Sequence, residues 1–83
     1  MDHRIISTKN LGEALRAARK KKGMSQKQVG KSVGLDQPSM SKIERGESSA
    51  RIDTLFRLLA ALDLELIIQP RQKPLGENEG DRW

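Results

Sequence analysis

The chain has 83 residues and a net charge of +5, from 16 Lys and Arg against 11 Asp and Glu. A chain of this length forms one small, marginally stable domain, and its positive charge favours polyanionic partners. Its lack of cysteine and its single histidine exclude disulfides and cysteine or histidine metal clusters, so we expect no metal and no cofactor. Without an apolar run of membrane-spanning length or a secretion signal, we expect a cytoplasmic protein that has no membrane partner.

The first predicted helix begins after Ser7 or Thr8, either of which can cap it. Before it, the apolar pair Ile5 and Ile6 can pack against a neighbouring element. The apolar positions of this helix recur at helical spacing: Leu11, Ala14, Leu15 and Ala18. The helix ends in cations at positions 19–22, which suit the negative end of the helix dipole. We expect a solvated helix end; the alternative is that one or two of these cations also approach a phosphate.

Two short helices joined by a tight turn are predicted next. Ser25 caps the first of them, on which Val29 and Val33 share one face. Between these two valines, Gly30 leaves room for a second helix to cross closely. Gly34 follows at the turn, where a rapid reversal of the chain needs a positive φ that only glycine adopts without steric cost.

The second helix of the pair begins with Asp36 as its cap and Pro38 in its first turn, and Gly46 closes it. Met40 and Ile43 form its apolar face. Its outward face has side chains that hydrogen-bond to base edges and phosphates: Gln37, Ser39, Ser41 and Lys42. Two capped helices around a glycine turn, with such a face on the second, are typical of the helix-turn-helix of a DNA-binding protein.

The last predicted helix spans roughly residues 52–62, after a polar loop at 47–51. Its apolar stripe, which we assign to the core and to a dimer contact, consists of Ile52, Leu55, Phe56, Leu59 and Leu62. Alternating apolar residues then predict one short strand at 64–69, ended by Pro70. Since the sequence has no second strong strand, the expected partner is the same strand of a second subunit, antiparallel across a two-fold axis. The dimer-interface residues are Leu64, Leu66, Ile67 and Ile68.

We therefore divide the chain into a DNA-binding and dimerisation domain, residues 1–69, and a flexible C-terminal tail, residues 70–83. The tail is rich in Pro, Gly and charged residues, and we expect it to be disordered. It contains three basic and three acidic side chains, so the whole net charge of +5 lies in residues 1–69. Trp83 at its end is either accidental or an anchor that docks into a partner.

The segment from Ser25 to Gly46, SQKQVGKSVGLDQPSMSKIERG, resembles the Xre/Cro family of repressors, whose lambda-repressor-like domains of four or five helices bind operators as dimers. The resemblance extends to HipB-type antitoxins through RIIST before the first helix, LELIIQ directly after the last helix, and a short tail that ends in Trp. It implies a mainly α fold in which the C-terminal strands of two subunits form a two-stranded sheet. It also implies a nucleoid-associated homodimer that represses its own operon and binds a HipA-like serine/threonine kinase toxin, with Trp83 as a toxin contact.

Within this framework, Gln37 is assigned to bidentate reading of adenine and Lys42 to guanine or phosphate. The expected base-reading residues are Gln37, Pro38, Ser39, Ser41 and Lys42. Phosphate contacts are expected from Ser25, Gln26, Lys27, Arg45 and Arg51. Asp36 would be repelled by phosphate, so we assign it to the helix cap rather than to cytosine. We expect Glu44 to pair with a neighbouring arginine rather than to touch DNA.

Other functions stay open at this point: a stand-alone Xre-family repressor, or a protein-interaction module without DNA binding. The basic, glutamine-bearing third helix favours DNA binding. Catalysis is not expected, because Ser41 and Lys42 are neighbours on an exposed helix and do not create a desolvated nucleophile with a base. His3 has no second residue with which to hold a metal.

Overall fold

The computed structural model describes residues 4–48 and 50–71, and these residues form four helices. The helices are α1 (Thr8–Lys21), α2 (Gln26–Val33), α3 (Gln37–Glu44) and α4 (Ile52–Ala61). Their number and order agree with the sequence prediction. Within the described residues, no helix has the length and hydrophobicity needed to cross a membrane.

The first three helices begin at side chains that accept a hydrogen bond from the backbone. Ser7, Ser25 and Asp36 each accept from the N–H three residues ahead, at 3.0, 3.0 and 2.8 Å. Ser25 also donates its own N–H to the side chain of Gln28 at 2.7 Å, which completes a capping box. The predicted caps Ser25 and Asp36 are confirmed, and Ser7 is the cap of α1.

The hydrophobic core lies between the helices, and each of the four contributes to it. Its buried members are Leu15, Val29, Val33, Met40, Ile43, Leu58, Leu59 and Leu62. The stripe predicted on α4 omitted Leu58, which is fully buried, and included Ile52 and Phe56, which are 67% and 51% exposed. The inward face of α4 is therefore rotated relative to the prediction, and an apolar edge at Ile52 and Phe56 stays on the surface.

Two glycines allow close packing around α3. A Cβ atom added to Gly30 would lie 2.6 Å from the carbonyl oxygen of Leu35, in the turn before α3, and 3.0 Å from the side chain of Met40 on α3. A Cβ atom added to Gly12 would overlap the carbonyl oxygens of Ile43 and Glu44 at the end of α3. The sequence predicted a close approach at Gly30 but assigned it to a crossing helix rather than to the turn. It did not predict the approach at Gly12, which sets the spacing of α1 and α3.

The turns at the ends of α2 and α4 both use left-handed backbone. Gly34 has φ +81°, as its predicted position in the turn requires. Asp63 has φ +58°, and the next N–H, that of Leu64, closes α4 on the carbonyl oxygen of Leu59 at 2.8 Å. Lys22 and Asp63 form an ion pair of 2.7 Å that ties the end of α1 to the end of α4.

The segment after α4 is the one that the sequence assigned to a strand. Within the described chain, residues 64–71 contain no helix and no paired strand. Its large apolar side chains are exposed, Ile68 to 91%. The strand pair between two subunits therefore stays a prediction. Residues 72–83, with Trp83, lie outside the described residues.

Candidate nucleic-acid interface

The N-termini of α2 and α3 meet through the side chains of their first residues. Gln37 Nε2 donates a hydrogen bond to Gln26 Oε1 at 2.6 Å. The first turn of every helix keeps backbone N–H groups that no carbonyl of the same helix accepts, and such groups bind phosphates. The structure therefore brings together a residue that the sequence assigned to base reading and one that it assigned to phosphate.

A buried ion pair between α1 and α3 lies behind these two glutamines. Arg19 Nε donates to Glu44 Oε2 at 2.6 Å, and Nη2 donates to Glu44 Oε1 at 3.0 Å. The side chains of Arg19 and Glu44 are only 10% and 1% exposed. Arg19 Nη1 also donates to the carbonyl oxygen of Met24 at 2.9 Å. The hydrogen bond to Glu44 raises the pKa of Arg19, against the opposing effect of burial.

The ion pair corrects two sequence predictions. Glu44 pairs with an arginine, but with Arg19 of α1 and not with a neighbouring arginine, because Arg45 pairs with Glu47. The expectation of a solvated basic end of α1 is wrong for Arg19, because α3 packs on α1 and covers this side chain. Since Arg19 and Glu44 are 25 residues apart, no local sequence signal could have identified the partner.

Gln26 connects the buried ion pair to the surface. Its Nε2 donates to Glu44 Oε1 at 3.0 Å, while its Oε1 accepts from Gln37. Gln26 is half-buried and Gln37 is exposed. We call the hydrogen-bonded series of Arg19, Glu44, Gln26 and Gln37 the polar relay. The predicted functional residue Gln26 therefore has a structural role as well.

The remaining predicted base-reading residues differ in exposure. Pro38 and Lys42 are exposed on α3, whereas Ser39 and Ser41 are half-buried. Ser39 holds the pKa of Asp36 below its usual value, through a side-chain hydrogen bond first and a backbone hydrogen bond second. Asp36 is thus a charged helix cap, and the described face of α3 that is fully open to a ligand is built by Gln37, Pro38 and Lys42.

Arg45, a predicted phosphate contact, already has partners within the chain. Its Nε and Nη2 each donate to a carboxylate oxygen of Glu47 at 3.0 Å, and its Nη1 donates to the hydroxyl of Ser41. The side chains of Arg45 and Glu47 are both more than half exposed. Their hydrogen bond is the main cause that raises the pKa of Arg45 and lowers that of Glu47. Arg45 therefore stands at the surface as half of a neutral pair.

The other predicted phosphate contacts lie at two helix starts. Ser25 and Lys27 are exposed beside Gln26 at the beginning of α2. Arg51 precedes α4 and pairs with Asp53 at 3.4 Å, both side chains being largely exposed. The predicted cations thus form two groups. Lys27 and Lys42 are exposed on α2 and α3, whereas Arg45 and Arg51 each form an ion pair with a nearby acidic residue.

The fold and this arrangement of helices agree with a known family. The sequence profile of the helix-turn-helix family matches residues 15–68, which include α2, α3 and α4. The chain belongs to the helix-turn-helix family. The resemblance of the segment Ser25 to Gly46 to Xre-type proteins is confirmed. The helix-turn-helix domain is that of a DNA-binding regulator, and its family is not a class of enzymes.

Three named proteins are similar to this domain in sequence. The uncharacterized HTH-type transcriptional regulator y4dL of Sinorhizobium fredii is 37% identical over 65 residues, 78% of this chain and 33% of that protein. An uncharacterized HTH-type transcriptional regulator of Haemophilus influenzae is 40% identical over 53 residues, 64% of this chain and 54% of that protein. The antitoxin HipB of Escherichia coli is 26% identical over 65 residues, 78% of this chain and 74% of that protein. The chain spans from a third to about half the length of the first two.

Solved structures confirm the predicted fold, which is mainly helical and lambda-repressor-like. The restriction-modification controller protein C.AhdI from Aeromonas hydrophila has a TM-score of 0.66 and 33% identity, over 70% of this chain and 84% of that chain. The P22 c2 repressor in complex with a synthetic operator has a TM-score of 0.65 and 33% identity, over 74% of this chain and 88% of the repressor chain. A chain of a HipA-HipB-O2-O3 complex has a TM-score of 0.73 and 24% identity, over 86% of this chain and 100% of that chain. At this identity, the match shows similarity of fold alone.

Proposed function

We propose that this helix-turn-helix domain binds double-stranded operator DNA as a homodimer and represses transcription. In the proposal, α3 enters the major groove and presents Gln37, Pro38, Ser39, Ser41 and Lys42 to the bases. The contacts to the DNA backbone come from Ser25, Gln26, Lys27, Arg45 and Arg51. The observation that carries this proposal is the meeting of the N-termini of α2 and α3 at the 2.6 Å bond between Gln26 and Gln37, beside exposed Pro38 and Lys42.

Selection of duplexes from a random library by the purified chain tests this proposal. We expect a pseudo-palindromic sequence whose half-sites lie about one helical turn apart. Gln37→Ala should relax the preference at one base pair, whereas Lys27→Ala should weaken all sequences similarly and reduce the salt slope by about 1. Failure to enrich any sequence would favour the protein-interaction module. Losses of affinity with unchanged base preference and salt slope would contradict the assigned roles.

The exposed apolar residues support the homodimer. After α4, the described chain exposes apolar side chains in a segment that forms no paired strand: Leu64, Leu66, Ile67 and Ile68. Ile52 and Phe56 of α4 are exposed as well. Exposed apolar surface of this extent is typical of a protein interface. Leu66→Asp should therefore give monomers in sedimentation, while the neighbouring substitution Glu65→Gln should not. A wild type that sediments as a monomer at micromolar concentration would contradict the dimer.

We also propose that the protein is the antitoxin of a HipBA-like module, represses its own operon and binds a HipA-like serine/threonine kinase toxin. This proposal is supported by the similarity to HipB of Escherichia coli, which is 26% identical in sequence over 74% of its length. The match to a HipA-HipB complex supports it further through the fold. A kinase-like reading frame next to this one, whose product co-purifies with the chain, is the expected result.

A stand-alone repressor is the second candidate. Its support is the identity of 33% to the P22 c2 repressor, which exceeds the identity of 26% to HipB. The absence of an adjacent kinase reading frame would favour it.

If the kinase exists, deletion of Trp83 should weaken kinase binding and leave operator binding unchanged. Equal kinase affinity and dissociation rate with and without Trp83 would show that this residue is accidental.

A further inference from the structure

A polar groove of about 520 Å³ follows the contact of α1 with α3 and reaches the start of α2. Three residues at helical spacing form its α1 side: Lys9, Glu13 and Arg16. Gln26 of α2 and Ser41 of α3 line the same groove, and the sequence assigned both of them to DNA contacts. The groove therefore connects the proposed DNA-binding face to α1, which has no part in the contacts proposed above.

Every carboxylate that lines this groove already has a cation of its own. Glu13 pairs with Lys9 at 3.3 Å, and Glu47 pairs with Arg45 at 3.0 Å. The third carboxylate, that of Glu44, is neutralised by the arginine of the polar relay. Any further cation in the groove is therefore in excess of the negative charge.

Arg16 is that further cation. It is exposed, and it forms no ion pair or hydrogen bond with any residue in the part of the chain that the structure describes. The groove consequently has one positive charge that no lining carboxylate compensates. A guanidinium group is always charged in a protein, and its planar fork of donors matches the oxygens of a phosphate.

The part of the groove nearest α2 suits a phosphate of DNA. Gln26 is the first residue of α2, and the first turn of a helix has backbone N–H groups that no carbonyl of the helix accepts. The hydroxyl of Ser41 is a further hydrogen-bonding group along the groove. A duplex that binds to α3 and to the start of α2 brings its backbone to this groove, where Arg16 is the cation that is free to meet it.

We propose that Arg16 binds a phosphate of the operator backbone, so that the DNA-binding surface of the domain extends across the groove to α1. This inference rests on the proposed operator binding, since the phosphate belongs to a duplex that α2 and α3 already hold. The contact fixes how the domain lies on the duplex and has no base preference of its own.

The test compares Arg16→Gln with Lys20→Gln, which remove the same charge from two exposed positions of α1, one turn apart. Lys20 does not line the groove and is the matched control. A duplex is first selected by the wild type from a random library. Copies of it are then made with a single uncharged methylphosphonate at successive backbone positions, and the affinity of each protein for each copy is measured. Thermal melting verifies that both variants are folded.

We expect one backbone position in each half-site at which the methylphosphonate weakens binding of the wild type by about tenfold, through loss of the contact with Arg16. Arg16→Gln should bind the unmodified duplex more weakly and should be insensitive to the methylphosphonate at that position. Lys20→Gln should keep the full sensitivity there.

Two results would overturn the inference and leave operator binding intact. One is equal sensitivity of both variants at every backbone position, because Arg16 would then act through net charge alone. The other is an unchanged affinity of folded Arg16→Gln for the unmodified duplex. If the wild type enriches no duplex, the proposed function fails, and the inference fails with it.

Discussion

Two arginine–glutamate pairs lie one residue apart at the end of α3, one inside the molecule and one on its surface. Glu44 and Arg19 form the inner pair, with N···O distances of 2.6 and 3.0 Å, and join helices across 25 residues of sequence. Arg45 and Glu47 form the outer pair, with two distances of 3.0 Å, across two residues. Both pairs are bidentate, so their contact geometry is similar and their burial is different.

This difference determines what each pair can do. When one partner of a buried pair is removed, the other is left as an uncompensated charge in a medium of low dielectric. An exposed pair contributes little, because water solvates both groups in its absence. The inner pair therefore maintains the contact of α1 and α3, whereas the outer pair can open at little cost, as the proposed contact of Arg45 with a DNA phosphate requires.

The largest expected effect comes from Glu44→Ala, which breaks the inner pair and leaves Arg19 buried without its partner. We expect the free energy of unfolding to fall by about 3–5 kcal/mol, measured by urea denaturation. The double variant Arg19→Met with Glu44→Leu should recover most of this loss, since apolar residues of similar volume replace both charges. A loss below about 1 kcal/mol in the single variant would show that the inner pair contributes no more to stability than an exposed pair does, and would contradict this prediction.

Gly12→Ala should have an intermediate effect on the same region. Its new methyl group would overlap the carbonyl oxygens of Ile43 and Glu44 and push α1 away from α3, at a cost of about 1–3 kcal/mol. Gly23→Ala is the control, because its Cβ would meet no atom within 4 Å and its cost comes from the φ of +71° alone.

A double-mutant cycle separates these two glycines. Gly12→Ala and Glu44→Ala should be strongly non-additive, since both loosen one contact, while Gly23→Ala and Glu44→Ala should be additive. Additive effects for the pair Gly12→Ala and Glu44→Ala would show that the glycine and the ion pair act independently.

The smallest effect on stability is expected for Glu47→Gln, which breaks the outer pair. The midpoint of denaturation should stay unchanged, while the affinity for the selected duplex should rise, because Arg45 no longer has to leave a carboxylate to make its proposed phosphate contact. Asp63→Asn is the matched control, because it removes one negative charge at the end of α4 and leaves Arg45 paired. An equal rise in affinity in both variants would show that net charge alone matters.

The pH dependence of the outer pair has a definite sign. Arg45 lowers the pKa of Glu47, so this carboxylate stays charged down to a pH below the ordinary range of a glutamate. Whatever the pair contributes is thus present at neutral pH and is lost only as the pH falls through the lowered pKa. Acidification to the ordinary range of a glutamate should not reproduce the effect of Glu47→Gln.

The features that the sequence predicted well are those that depend on neighbours within one turn. Ser25 and Asp36 cap their helices because a side-chain oxygen accepts from the N–H three residues ahead, and this spacing is visible in the sequence. Gly34 adopts a positive φ for an equally local reason. These signals were sufficient for the four helices and for the exposed part of α3.

The features that it missed depend on contacts between distant residues. Nothing near Arg19 distinguishes it from the following lysines until α3 places Glu44 beside it. Gly12 is an ordinary weak helix residue until the carbonyl groups at the end of α3 approach it. Leu58 was missed because the stripe of α4 is broad, and only packing against α2 selects the inward side.

The separation of inner and outer residues on α3 has a consequence for how such a regulator changes its target. Met40, Ile43 and Glu44 hold α3 in the domain, whereas Pro38 and Lys42 are exposed. In the proposed DNA complex, we therefore expect substitutions at positions 38 and 42 to act independently, each with its own effect on the bound sequence. Positions 26 and 37 are linked by a hydrogen bond, so we expect relatives with a new base preference at position 37 to have changed both residues together.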